Sequence, residues 1–583
     1  MSRRFSLIAG FLLVVTTFGV AAARDPKWWA DNLGGPDSSV FVDLDQIKRT
    51  NVTGLEVAWT YPYVAAGFNP IVVDDVIYTG GRNGSLIALD ATTGKEIWIH
   101  EGLTGMQGRG INFWKSDDGK DKRLIFWINS FMQEIDATTG KSIPTFGRDG
   151  IVDMREGLPR GQNMGWNLNS PGKIWKDTLI IGSTVGEAFM SPPGDIRAYN
   201  VKTGALVWQF HTIPRPAEYG YDTWPPEAYK YSGAANNWGN MSVDAERGIV
   251  FVPTGSATYD FYGADRVGQD LYANCLLALD AKTGKRLWHF QTVHHDLWDF
   301  DNVSAPQLVT VMHDGRKIDA VAFAGKTGFL YVFNRVTGEP LWPIDERPVP
   351  KSTIPGESAW PTQPFVAQPP PFAAQKFGVD DVNPWLMTPD EYQKMRDRVA
   401  KARNEGMFTP PGLTDTISMP GNQGGSNFGT TGADPSKGMM FVVNVNQVAI
   451  VKLEDVQQRA AGRGETGAYG GAAAVGQRLY TSNCSSCHGT NLQGGGPGVP
   501  SLVGVTNRMA DDAIRAVMTG GRGLMRAVPD LSALDLSNII AFLGSTSPYG
   551  SARPGGPPPS LPDRKSTRLN SSHVSESRMP SSA

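Results

Sequence analysis

One short phrase recurs along the 583-residue chain and constrains what it can become. It reads LIALDATTGKEIW at residues 86–98, QEIDATTGKSIP at 133–144, IRAYNVKTGALVW at 196–208, LLALDAKTGKRLW at 276–288 and LYVFNRVTGEPLW at 330–342. Asp90, Asp136, Asn200, Asp280 and Asn334 hold the same place in each copy. An alternating apolar strand ends at Asp or Asn, whose side chain can bond the turn backbone. Glycine accepts the positive φ that follows, and a second strand carries tryptophan into a core. Further short apolar runs lie between the copies, so each repeat holds roughly four strands in about 45 residues, the content of one propeller blade. The Asp/Asn spacings of 46, 64, 80 and 54 add long insertions to several blades. A parallel β-solenoid has shorter units. The expectation is an all-β propeller.

Composition agrees. The chain has 67 glycines and 16 tryptophans with only 19% charged residues, which favours tight turns and strands over helical bundles. A net charge of -3 gives no electrostatic reason to expect nucleic acid as a partner. Residues 1–23, MSRRFSLIAGFLLVVTTFGVAAA, pair a basic start with an apolar core and a small-residue cleavage site. They read as a signal for export to the periplasm, and the apolar run is short for a spanning helix. The mature protein is then soluble or peripherally membrane-associated. Three cysteines cannot build a disulfide framework, and Cys275, on the apolar strand ANCLLALD, reads as a small buried hydrophobe.

The copy at 276–288 runs on into HHDLWDFD (residues 294–301), which occurs once. A polar stretch that the repeat does not explain is a candidate site. A second lies near the C-terminus, where Cys484-Ser-Ser-Cys487-His488 is a c-type haem attachment sequence. Two thiols form thioethers and the adjacent histidine binds the iron. A dithiol redox motif is disfavoured by that histidine, and a zinc site would need a second ligand pair. GGRGLMRAVPDLSALDLSNIIAFL (residues 520–543) resembles the sixth-ligand loop and last helix of small cytochromes c. The resemblance places Met525 on the iron, with Met518 as the rival, in an all-α cytochrome c domain over 466–546.

The Asp-x-x-Thr-Gly-x-x-x-Trp hairpin resembles the tryptophan-docking repeat of quinoprotein dehydrogenases, eight-bladed propellers that bind pyrroloquinoline quinone (PQQ) near their axis. The likeness runs from about Trp28 to Leu453, within a domain expected over 24–455. It implies oxidation of an alcohol or sugar hydroxyl, with electrons passed through haem c to an external acceptor (a cytochrome c, a quinone or the respiratory chain). By the same likeness Asp299 is the base and Lys326, 27 residues on, the cation beside the quinone, as in the glucose-dehydrogenase-like branch. Asp301 and Glu187 become ligands of a hard cation, Ca²⁺ or a lanthanide. Thr184 meets a PQQ carboxylate, Trp238 is the floor beneath the flat ring, and Arg109 and Asn427 are further ring contacts. Two departures stand out. Ser256 falls where the family has a metal-ligating asparagine, and Met106-Gln107 replaces the cysteine pair of methanol dehydrogenases. A broader alcohol or sugar enzyme is therefore expected over a methanol dehydrogenase. The alternatives are a catalytically inactive propeller scaffold, as in outer-membrane assembly factors with similar repeats, and an electron-transfer protein carrying the cytochrome.

Residues 343–415 are proline-rich and lack the repeat. Thr388, Pro389 and Glu391 predict one helix start there, with Gly406 past its end. Residues 547–583 form a Pro/Gly linker and a Ser/Arg-biased tail that reads as disordered and resembles translated adapter sequence. Finally, five full copies, a sixth starting near Gly425 and an orphan closing half, LEVAWTYPY at 55–63, fall short of eight blades. The expectation is an open or incomplete propeller, as from a shortened gene.

Overall fold

The computed structural model describes residues 29–545, apart from 63–67, 104, 161–165, 188–189, 455–471, 495–498 and 529–530. The export signal, most of the interdomain linker and the tail lie outside the described residues. Four antiparallel sheets of four sequential strands each occupy residues 71–100, 112–153, 173–210 and 242–291. A three-stranded sheet follows over 307–334, and then a hairpin of Thr431–Asp434 with Met439–Val442. The first strands of successive sheets approach one another from the second sheet to the hairpin, so they form the inner wall of a propeller.

The repeat explains how neighbouring blades are held. In each turn the Asp or Asn side chain accepts from the turn: Asp280 Oδ1 takes Thr283 N at 2.8 Å and Thr283 Oγ1 at 2.7 Å. The closing tryptophan then leaves its own blade. Trp208 Nε1 donates to Ala281 O of the next sheet at 3.1 Å, and its ring covers Gly284 so closely that a Cβ there would lie 2.5 Å away. Gly284 has φ +70, so both space and conformation require glycine. Trp98 on Gly140 and Trp288 on Gly338 repeat the arrangement. The copy at 133–144 ends in Pro144, and Phe146 with Val152 covers Gly204 instead. In the last full copy, Pro340 and Pro343 flank Leu341-Trp342. Only an isolated bridge, Phe333 to Pro340, stands where a fourth strand would pair, since proline offers no N–H.

Both flanks of the blade series carry exposed apolar side chains. Trp59 docks on Gly94 and donates to Ala91 O at 3.0 Å, yet Leu55 and Val57 beside it are 58% and 80% exposed. At the other flank Met439 and Phe441 are exposed on the hairpin's outer strand, and Val443 just past its end. The segment from Trp29 to Ser39 crosses the inner wall. It hydrogen-bonds to Val72, Lys173, Val243, Gln307 and Ala433, on the innermost strands of five blades.

The proline-rich stretch forms a hairpin, Ile344–Pro348 with Thr362–Val366, and the helix Pro389–Lys401. Thr388 and Glu391 cap that helix reciprocally, as expected. The helix stops at Lys401 with Ala402 as C-cap, and Gly406, past its end as expected, accepts from Thr409 in a later turn. Helices Ala472–Asn483, Asp511–Gly520 and Ala533–Ser545 pack round Tyr480, Ile539 and Phe542 as a small α-domain. No helix among the described residues is long and apolar enough to cross a membrane.

Candidate active site

The Asp-Thr-Gly turns join the third and fourth strands of their blades, so they share one rim. The connections from second to third strand, and from one blade to the next, emerge on the other. Every propeller residue singled out for chemistry lies on that second rim. Thr184, Glu187, Ser256 and Lys326 stand on connections between second and third strands. Arg109, Trp238, Asp299, Asp301 and Asn427 stand on connections between blades.

The centre is an ion cluster. Lys326, 4% exposed, donates to Asp299 Oδ1 and to Asp299 O, both at 2.9 Å, and reaches Asp301 Oδ2 at 3.4 Å. Asp301 is pinned separately: Ser256 N donates to it at 2.6 Å and Trp238 Nε1 at 2.8 Å. Burial opposes charge on Asp301, but the Lys326 ammonium and these two N–H groups hold its carboxyl below the ordinary value. Burial pushes Asp299 well above it, against the pull of Lys326 and with help from Asp301 and Asp260. One ammonium thus serves two carboxylates, and Asp299 keeps the higher proton affinity. Gly424 and Gly255 wall the cluster: a Cβ would meet Lys326 at the first and Asp301 Oδ1 at the second, both at 2.4 Å.

Around this centre the expected cofactor contacts assemble. Lys326 Nζ is 5.8 Å from the Trp238 ring centroid. Arg109 donates to Trp238 O at 3.1 Å and to Ser170 Oγ at 3.0 Å, and its guanidinium lies 3.8 Å over Phe428. Asn427 neighbours that ring, though its own amide turns back to Gln423 O at 2.8 Å. Thr184 Oγ1 and Ser183 Oγ are buried with no hydrogen-bond partner among the described residues. A carboxylate-bearing flat ring over Trp238 would satisfy such hydroxyls, so the residues present fit PQQ.

One expected metal ligand, Ser256, needs correction. Ser256 does not present its hydroxyl; it donates to Asp296 Oδ2, and only its backbone N–H faces Asp301. Glu187 is exposed, and among the described residues no three His, Cys, Asp or Glu converge as a metal cage. The charge balance still suits a hard cation. Asp260, absent from the sequence expectation, is pushed up to about 8 by burial and then by Asp301 and Glu187.

Further residues, some of them in the same unrepeated stretch, hold the Asp299 loop. Asp296 accepts from Trp298 N at 2.8 Å, Phe300 N at 2.7 Å and Asn274 Nδ2 at 2.8 Å. The proline-rich excursion buttresses the same loop. Gln363 Nε2 donates to His294 O at 2.7 Å, His295 Nε2 meets Glu357 at 2.8 Å, and Trp298 Nε1 donates to Thr409 O at 2.9 Å. Asp296 lies in the unrepeated stretch at 294–301, but its bracing role was signalled only by its place two residues before Trp298, where an Asp can accept a backbone N–H.

In the α-domain, Cys484, Cys487, His488 and Met525 line one cavity of about 590 Å³. Buried His488 bonds Pro500 O through Nδ1 at 3.0 Å, which leaves Nε2 for an iron. Met518 lines the cavity too, but from the buried face of the helix Asp511–Gly520; Met525 comes from a loop. The thiols, the imidazole and a loop thioether in one cleft fit a covalent haem.

A propeller rim with this ion cluster over an indole floor, beside a c-type haem cleft, defines the quinohaemoprotein class. Comparison with known proteins agrees. A family model described as glucose/ethanol/alcohol dehydrogenase, β-propeller domain, matches residues 29–491, and a cbb3-type cytochrome c oxidase subunit III model matches 471–543. The chain belongs to the PQQ-dependent dehydrogenase family. It is 32% identical over 490 residues to a quinate/shikimate dehydrogenase (quinone) of Acinetobacter baylyi, covering 76% of this chain and 59% of the relative. It is 30% identical over 438 residues to quinoprotein glucose dehydrogenase A of Acinetobacter calcoaceticus, covering 68% and 54%. The chain therefore spans somewhat over half the length of these relatives. Among solved structures, quinohaemoprotein alcohol dehydrogenase ADHIIG of Pseudomonas putida HK5 superposes with a TM-score of 0.55 at 22% identity. That match covers 74% of this chain and 58% of the other, and it shows the shared fold.

Proposed function

We propose that the protein oxidises a hydroxyl of a small alcohol or sugar in the periplasm, using PQQ, and passes the electrons through haem c to an external acceptor. The observation that carries this reading is the Asp299–Lys326–Asp301 cluster beside the Trp238 ring. When bound, PQQ supplies the quinone that accepts two electrons from the substrate carbon. Asp299, the carboxylate with the higher proton affinity, takes the hydroxyl proton. Lys326 fixes that carboxylate and would offer a positive charge to the quinone oxygens. Trp238 provides the floor, Arg109 braces it through its carbonyl, and Thr184 offers its unpartnered hydroxyl to a ring carboxylate. Asp299, Asp301, Glu187 and Asp260 are the oxygen donors assigned to Ca²⁺ or a lanthanide. The relatives' names, quinate/shikimate and glucose, favour a polyhydroxylated substrate.

The test is reconstitution of the full chain with PQQ and Ca²⁺, or a lanthanide in parallel, followed by addition of ethanol, glycerol, glucose or quinate. Reduction of the haem band on adding substrate supports the reading, and none with any of the four sinks it. Asp299→Asn is expected to lower turnover by at least about a thousandfold with the haem spectrum unchanged.

A further inference from the structure

The haem cavity is not walled by the α-domain alone. Phe131, Asp153 and Arg155 of the second blade also line it. The contact is specific. The turn at Asn129–Ser130, between two strands of that blade, meets the haem-attachment loop through backbone and side chain. Asn129 Nδ2 donates to Cys487 O at 2.7 Å, and Ser130 N donates to Ser486 O at 3.3 Å. Ser130 Oγ, which also bonds Trp166 O at 2.5 Å in its own blade, reaches Ser486 O at 3.2 Å. Arg526, beside Met525, pairs with Glu156 at 2.9 Å.

Arg155 is the group that matters here. It is 8% exposed, and its Nε and Nη2 are gripped by Asp153 at 2.9 and 2.8 Å. The guanidinium carbon lies 5.2 Å from the Phe131 ring centroid. The remaining nitrogen, Nη1, is directed to Cys487 Sγ at 2.8 Å, the atom that would carry a thioether. Both members of the ion pair border the cavity, but it is the guanidinium that reaches the attachment atom, through Nη1, while the carboxylate grips its other two nitrogens. Burial keeps water from screening it.

We propose that the second blade completes the haem site and that Arg155 tunes the haem's reduction potential. The inference rests on the haem reading above. Reduction of ferric haem to ferrous haem adds one electron and makes the group more negative by one charge. A fixed guanidinium at its edge stabilises the ferrous form relative to the ferric. Arg155 thereby makes the haem a better acceptor, and Asp153 moderates the effect. The same contacts hold the attachment edge against the propeller, on the rim that carries the PQQ-site residues.

The experiment is a mediated spectroelectrochemical titration of the haem in the full-length holoprotein, with no PQQ or substrate. Arg155→Met is expected to lower the ferrous/ferric equilibrium constant about tenfold, a downward shift of about 59 mV for one electron. Arg155→Lys should restore most of it, and Asp153→Asn should move the potential upward. Opposite signs for the two members of one ion pair separate charge tuning from mere disturbance of packing. An unshifted potential in Arg155→Met with a native haem spectrum overturns the proposal. So do shifts of the same sign in Arg155→Met and Asp153→Asn. Lack of covalent haem in the unaltered protein would overturn the haem reading itself, and this proposal with it.

Discussion

Asp299 sits at φ 58, in the left-handed region that only Gly, Asn and Asp enter readily. Asparagine can therefore replace it without disturbing the backbone, so Asp299→Asn isolates the loss of the carboxylate. Asp299 and Lys326 were legible in the sequence because neither belongs to the repeat and both match a known pattern. Asp296 and Asp260 were not, since one acts on backbone N–H groups and the other matters through burial beside acids far along the chain. His289 shows a further effect that only packing reveals. Burial pushes its imidazole down to about 4 from 6.5, and Arg286 Nη1, 2.9 Å from Nδ1, adds to the shift. A depressed folded-state value means that the neutral ring's contribution is fully present above pH 6.5 and is lost as pH falls towards 4. The expected result is a urea midpoint that declines across that window, and less steeply in His289→Gln. Parallel declines in the two proteins would refute this.

At the scale of elements, the repeat made the hairpins legible down to the Asp side chain in the turn. What stayed hidden was the direction of the tryptophan, because a strand pattern shows that a ring is buried but not against which sheet. The joint Trp208–Gly284 predicts a clear penalty. Gly284→Ala would set a Cβ 2.5 Å from the indole at a φ of +70. The expected cost is about 1–3 kcal/mol, read from the denaturant midpoint, with the active-site loops unaffected. An equal change at Gly315, where nothing lies within 4 Å of the added carbon, should cost less although its φ is also positive. The covering of Gly204 by Phe146 was illegible for a related reason: Pro144 removed the expected tryptophan, and the substitute stands outside the repeat.

Across the whole molecule, neighbouring sheets share buried apolar clusters and are joined by the tryptophan contacts, while the segment Trp29–Ser39 ties five blades together. Composition and periodicity in that segment revealed nothing, since its contacts are backbone groups meeting distant strands. Its length of inner-wall bonding predicts a shared effect. Removing residues 29–39 should lower the unfolding midpoint of the propeller as a whole, with hydrogen exchange rising on the inner strands of several blades together. Exchange rising in one blade alone would contradict that role. The tryptophan joints carry a different consequence, for how such a chain can change over generations. Every copy offers a glycine socket to the blade behind, and three of the five supply the tryptophan that fills the socket ahead, so most of the junctions are interchangeable couplings. A blade could be duplicated or deleted without inventing a new junction, and the rim opposite those couplings could lengthen its loops independently. Scaffold and chemistry can then diversify at separate rates in a single polypeptide.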